Sequence, residues 1–213
     1  MPSRERDQPS PREALSAKRR ATLAGALTVF ARDGYARAGI DTIAAEARVS
    51  TRTLYNHFGG KAGLFQEVIR DSATRYAEAQ IGIIDRHLRE VTDLQRDLAD
   101  FAHALLAPMP GHSAHEALVR QISAEAEHLP QAAVEDWWRS GPARFHHELA
   151  GRFRAFAGQG LLRTADPERA AEHFALLVSG GTPPFRRAGG PAEAGSAESV
   201  AAGVHAFLYG YAG

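Results

Sequence analysis

The sequence predicts an all-α protein of nine or ten helices. Three observations carry this. Apolar residues recur at i, i+3, i+4 and i+7 along nearly the whole chain. No run alternates β-branched and polar residues as a half-buried strand does. The chain, at 213 residues, is long enough to bury a real core. No repeat at a solenoid period interrupts that pattern.

The elements follow in order. Residues 1–13 are polar, carry Pro2, Pro9 and Pro11, and read as a disordered arm. Leu23, Leu27 and Phe30 mark a first helix from Ala14 to Asp33, stopped at Gly34. Ile40, Ile43, Ala44 and Ala47 mark a short second helix, broken at Val49-Ser50. Ser50 is a good N-cap, since its hydroxyl can accept a backbone N–H of the next turn. The third helix spans Thr51 to Phe58, with Leu54 and Phe58 inward, and Gly59-Gly60 ends it.

A long helix opens at Lys61 and is expected to reach Glu90, with Leu64, Phe65, Val68, Ile69 and Tyr76 on its buried stripe. Thr92 with Gln95 and Ser113 with Glu116 read as capping boxes for the next two helices. The first of these carries Leu94, Leu98, Phe101 and Leu105; the second carries Leu118, Val119 and Ile122 and ends near Leu129-Pro130. A short helix holds Trp137 and Trp138. Gly141-Pro142 starts another, with Phe145, Leu149, Phe153 and Phe156 on one face and an end at Gly158. Asp166-Pro167 starts a helix with Phe174, Leu177 and Val178. Residues 180–195 are rich in Gly, Pro and Ala and read as a loop. Ser196 begins a last helix with Val200, Val204, Phe207, Leu208 and Tyr211.

Lys and Arg together match Asp and Glu at 25 each, so the formal net charge is zero. The layout is not neutral. Residues 1–63 hold 11 basic against 6 acidic side chains, and the remainder holds 14 against 19. A cationic N-terminal module on an acidic body suits a polyanionic partner. Cys is absent, which excludes disulfides, thiolate metal sites and Cys nucleophiles. No apolar run reaches membrane-spanning length and the first residues lack a signal-peptide core, so a cytoplasmic location is expected.

The chemistry is concentrated in residues 34–61, GYARAGIDTIAAEARVSTRTLYNHFGGK. Two short helices lie about three residues apart, which is helix-turn-helix spacing. Ile43, Ala47, Val49 and Leu54 can lock the crossing, while Thr51, Arg52, Tyr55, Asn56 and His57 form a polar face of a length suited to a DNA groove. Arg52 can take guanine bidentately and Asn56 can take adenine the same way. Lys61 stands at a helix N-terminus, where the dipole already favours an anion.

This stretch resembles the DNA-binding domain of the TetR family of transcriptional regulators. Gly34-Tyr35, Ile43-Ala44, Ala47, Val49-Ser50, Thr53-Leu54-Tyr55, His57-Phe58 and Lys61 carry the resemblance, without gaps from Ala21 to Leu64. The segment from Leu118 to Gly180 is similar to the C-terminal region of AefR-like repressors. The resemblance implies a DNA-binding domain over residues 14–63 and a regulatory and dimerisation domain over 64–213. It implies a homodimeric repressor, not an enzyme, with a double-stranded operator and a small-molecule effector as partners and no cofactor or membrane. Tyr55, His57 and Lys61 would hold phosphates; Thr51, Arg52 and Asn56 would face base edges; Thr53 could do either. Phe101, Ile122, Trp137 and Phe145 are the candidates for lining an effector pocket. Phe153, Phe156, Val200, Val204, Phe207 and Leu208 are the candidates for the dimer interface. For both sets, packing in the chain's own core is the competing reading.

The chain departs from the family pattern at three places. Arg48 stands where Gly is usual; if that position needs positive φ, Arg costs about 1 kcal/mol. Ala38 and Gly39 stand where a hydroxyl is common. Asp41 is an anion near the DNA-facing side. Two other functions compete with this reading. A helical metalloenzyme would use the i, i+3 pairs Asp100/His103 and Glu125/His128, but neither has an evident second carboxylate partner. A protein-interaction module would use the helix-turn-helix as a scaffold alone.

Overall fold

The computed structural model describes residues 11–125, 129–179 and 197–211. Among them are ten helices and no strand: α1 (Pro11–Arg37), α2 (Ile40–Glu46), α3 (Thr51–Phe58), α4 (Lys61–His87), α5 (Leu94–Leu106), α6 (Ser113–Glu125), α7 (Gln131–Ser140), α8 (Pro142–Gly158), α9 (Pro167–Ser179) and α10 (Ala197–Tyr211). No described helix is long and apolar enough to cross a membrane.

Several ends differ from expectation. Helix α1 begins at Pro11, three residues before Ala14, so only residues 1–10 of the expected arm lie outside the description. It is broken at Gly34, whose φ of 76° and ψ of 168° no residue with a side chain adopts readily. Helix α4 stops at His87. Helix α5 is capped one residue later than predicted: Asp93 Oδ1 accepts the Arg96 N–H at 3.0 Å, and Asp97 Oδ2 accepts the N–H groups of Thr92 at 2.8 Å and Asp93 at 3.0 Å. Asp93 and Asp97 together therefore do what Thr92 and Gln95 were expected to do, because a charged acceptor bonds the free helix donors more strongly than a hydroxyl. Ser113 is the first residue inside α6, and the His112 carbonyl accepts the Glu116 N–H at 3.1 Å in its place. The expected loop at 180–195, the start at Ser196 and the partner residue His128 lie outside the described residues.

Two apolar cores organise the molecule. The first joins Leu23, Leu27 and Phe30 of α1 to Ile43, Ala44, Leu54, Leu64, Phe65 and Ile69, and it also takes in Leu118 and Ile122 of α6 and Ala133 of α7. Apolar packing thus runs across the expected domain boundary after Gly63, because α6 lies along α1 and α7 along α4. The second core fills the body with Ile84, Leu98, Phe101, Phe145, Leu149, Phe153, Phe174, Val200, Val204 and Phe207. Its centre is aromatic. Phe153 and Phe174 meet edge-on with ring centroids 5.6 Å apart, and Phe207 lies 5.3 Å from Phe153 and 5.2 Å from Phe174. Such pairs stabilise beyond simple burial by about 0.5–1.5 kcal/mol each.

Candidate nucleic-acid interface

The geometry of α3 starts from its cap. Ser50 Oγ accepts the Thr53 N–H at 3.1 Å and lies 2.8 Å from Thr53 Oγ1. Gly59, at φ 72°, closes the other end, its N–H donating to the Tyr55 carbonyl at 2.9 Å. Eight residues are thereby held as a helix too short to persist alone in water. Leu54 is fully buried, and this fixes the rotation of α3. Arg52, Asn56 and His57 are left exposed, as is Tyr55, with 55 % of its surface free. Thr51 and Thr53 are half-buried, and the Thr53 hydroxyl is engaged by Ser50.

Helix α2 crosses α1 at very short range: a Cβ on Gly25 would stand 2.8 Å from Ala47 Cα, so only glycine permits this approach. The turn between α2 and α3 contains Arg48 at φ 54°, the only non-glycine among the described residues with positive φ. The position does need the left-handed conformation, and Arg48 bears the associated cost of about 1 kcal/mol. Gly39 caps α2 without a side-chain hydrogen bond, as expected where a hydroxyl is missing, and Asp41 is exposed in the first turn.

Lys61 opens α4 beside α3. Its Nζ donates to the Ala36 carbonyl at 3.1 Å and sits 4.8 Å from the centre of the Tyr35 ring. One of its donors is therefore occupied in joining α4 to the break in α1, and its remaining donors are available to an anion.

That break holds a residue with a role sequence reasoning missed. Glu125, at the end of α6, accepts the Ala36 N–H at 3.1 Å, and a Cβ on Gly34 would lie 2.1 Å from Glu125 Oε1. The carboxylate, whose spacing to His128 suggests a metal ligand, instead holds the backbone of the last turn of α1, just before α2. The signal was Gly34 itself, read as a helix stop when it is also a docking notch. Among the described residues no three His, Asp or Glu side chains converge as metal ligands.

The four pocket candidates are not brought together. Phe101 and Phe145 are buried in the body core, and Ile122 is buried in the first core. Trp137 packs on the first core and, with Val134 and Trp138, lines an open, largely apolar hollow of about 500 Å³. Its indole Nε1 is buried without an acceptor. Five of the six dimer candidates turn inward instead. Phe153, Phe156, Val200, Val204 and Phe207 are buried within the single chain, and Leu208 is half-buried. A helical stripe that packs inward looks, in sequence, the same as one that packs on a partner. Among the described residues, the large apolar side chains that α9 and α10 leave exposed are Leu176, Leu177 and Tyr209.

Comparison with known proteins places these observations. Residues 23–68 match the family model for bacterial regulatory proteins of the tetR family. Residues 96–213 match the model for the C-terminal domain of AefR-like transcriptional repressors. A protein from Mesorhizobium loti described as a TetR-family transcriptional regulator is 26% identical, covering 93% of this chain and 98% of its own, with a TM-score of 0.77. The flavonoid-responsive regulator FrrA is 28% identical, covering 92% of this chain and 98% of its own, with a TM-score of 0.65. A regulator from Saccharomonospora viridis, solved with choline, shares the fold at 22% identity, covering 91% of this chain and 96% of its own, with a TM-score of 0.63. No curated protein matches. With the reader helix, its cap and the helical body all accounted for by these matches, the chain belongs to the TetR family of DNA-binding transcriptional regulators.

Proposed function

We propose that a homodimer of this chain represses transcription by setting one α3 into each of two successive major grooves of an operator, and that a small molecule in the body releases it. The observation that carries the reading is the rotation of α3: buried Leu54 leaves Arg52, Tyr55, Asn56 and His57 together on the free side. Arg52, Asn56 and Thr51 read base edges, and Thr53 contributes little because its hydroxyl is engaged by the cap. Tyr55, His57 and Lys61 hold phosphates, and exposed Arg48 adds a further one. Residues 14–63 carry the reader and 64–213 the sensing and pairing surfaces. As a regulator of bacterial genes, the protein acts in the cytoplasm.

Pairing runs through α9 and α10, where Leu176, Leu177 and Tyr209 offer apolar surface to a second copy. The effector site draws on the open apolar hollow beside Val134, Trp137 and Trp138. The likeness to a flavonoid-responsive regulator supports an aromatic organic effector.

Selection of bound duplexes from a random pool, followed by titration of the selected site, tests the reading. Arg52→Ala is expected to lose about 1–3 kcal/mol of discrimination at one base pair. Lys61→Ala is expected to weaken all sequences alike and lower the salt slope by about one. A dimer that ignores every duplex at low salt, or an Arg52→Ala variant with unchanged preference, overturns it.

A further inference from the structure

We propose that the groove between α1, α4, α7 and α8 is a second small-molecule site, for a ligand bearing a di- or polyphosphate group. The groove is an open concavity of about 450 Å³ lined by Arg19 of α1, Arg70 and Arg75 of α4, Arg139 of α7 and Arg144 of α8. Its lining carboxylates are two, Glu67 and Asp71, and the hydroxyls of Thr74 and Ser140 complete it. Five guanidinium groups meet two lining carboxylates, and Asp136 and Glu78 stand just outside them, so one net positive charge remains around this open concavity.

The ion pairs around the groove show how much capacity remains. Glu67 is shared by Arg19 and Arg70. Arg75 contacts Asp71 at 2.7 Å, and Arg139 contacts Asp136 at 2.7 Å. Arg144 comes only within 4.0 Å of Glu78, beyond hydrogen-bond reach. Each guanidinium has five donors, and these contacts occupy a minority of them. Exposed pairs of this kind contribute little to folding, so five arginines converging from four helices are poorly accounted for as staples. Donors arriving from several sides suit a tetrahedral phosphate, which accepts in every direction, better than a planar carboxylate. The doubly bonded Glu67 carboxylate already occupies one anion position and competes with a ligand for Arg19 and Arg70.

Calorimetric titration of the full-length protein with pyrophosphate, adenosine triphosphate and citrate at low ionic strength tests the site. Pyrophosphate and the nucleotide are expected to bind saturably and more tightly than citrate. Arg75→Gln with Arg139→Gln is expected to weaken them about tenfold or more. Glu67→Gln is expected to tighten them, a sign that loss of structure cannot produce. Arg52→Ala is expected to leave them unchanged. Absence of saturable heat, citrate binding as tightly as pyrophosphate, indifference to the groove variants, or loss in Arg52→Ala, which assigns the anion to the DNA-reading face, each overturns the proposal. Operator binding is measured on the same preparations, so failure of the groove and failure of the DNA reading are told apart.

Discussion

The reader module and the body reach order by different routes. In the module, short helices are set by local chemistry: the Ser50 hydroxyl, the left-handed Gly59, and the glycine that lets α1 touch α2 at Ala47. In the body, long helices are set by a shared aromatic centre of Phe153, Phe174 and Phe207. The module also borrows from the body, since Leu118, Ile122 and Ala133 complete its core and Glu125 holds its Gly34 break. The difference teaches that the DNA-reading half is locally specified yet leans on the half expected to sense a ligand. One carboxylate and a few apolar contacts tie α6 to the last turn of α1, just before α2.

The comparison can be broken most forcefully at the aromatic centre. Phe153→Ala is expected to cost about 3–5 kcal/mol, seen as a lowered urea midpoint. Loss of the body alone, with the module's melting unchanged, would show that the shared core does not couple them.

Acid offers the next handle, inside the body where α6 meets α4. His115 is buried, shares a 2.7 Å hydrogen bond with Ser72 and stacks on Tyr76 at 4.3 Å. Burial, with smaller contributions from His112 and Arg75, lowers its pKa from 6.5 to about 4. The folded form thus binds the proton less well than the unfolded chain. Stability is complete above pH 6.5, falls as pH drops toward about 4, and the loss amounts to roughly 3 kcal/mol. His115→Gln is expected to flatten that window in melting curves taken across it.

Gly34→Ala is expected to cost about 1–3 kcal/mol, because its backbone conformation is strained for alanine, and its Cβ meets Glu125. Pairing it with Glu125→Ala should recover part of the loss in a double-mutant cycle, and strict additivity would deny the contact. The smallest effects lie in the reader alone. Ser50→Ala should destabilise by about 1 kcal/mol. Arg48→Gly should stabilise by about the same amount while weakening DNA binding. The two are distinguished by comparing thermal melts with duplex titrations.

The sequence by itself determined the helical class, the bounds of α3, its cap, and the set of polar side chains opposite Leu54. These are local matters, carried by residue chemistry within one turn of where they act. The left-handed conformation at Arg48 was only suggested by the glycine usual there in the family, and the backbone geometry decided it. Tertiary structure alone decided the rest. Periodicity says that a stripe is buried but not against what, so Ile122 joined the reader's core instead of a pocket. For the same reason Phe153, Phe156, Val200, Val204 and Phe207 turned inward, leaving Leu176, Leu177 and Tyr209 outside. Glu125 became a backbone clamp only because α6 lies along α1, 89 residues away in the chain, and no local signal encodes contact at that range.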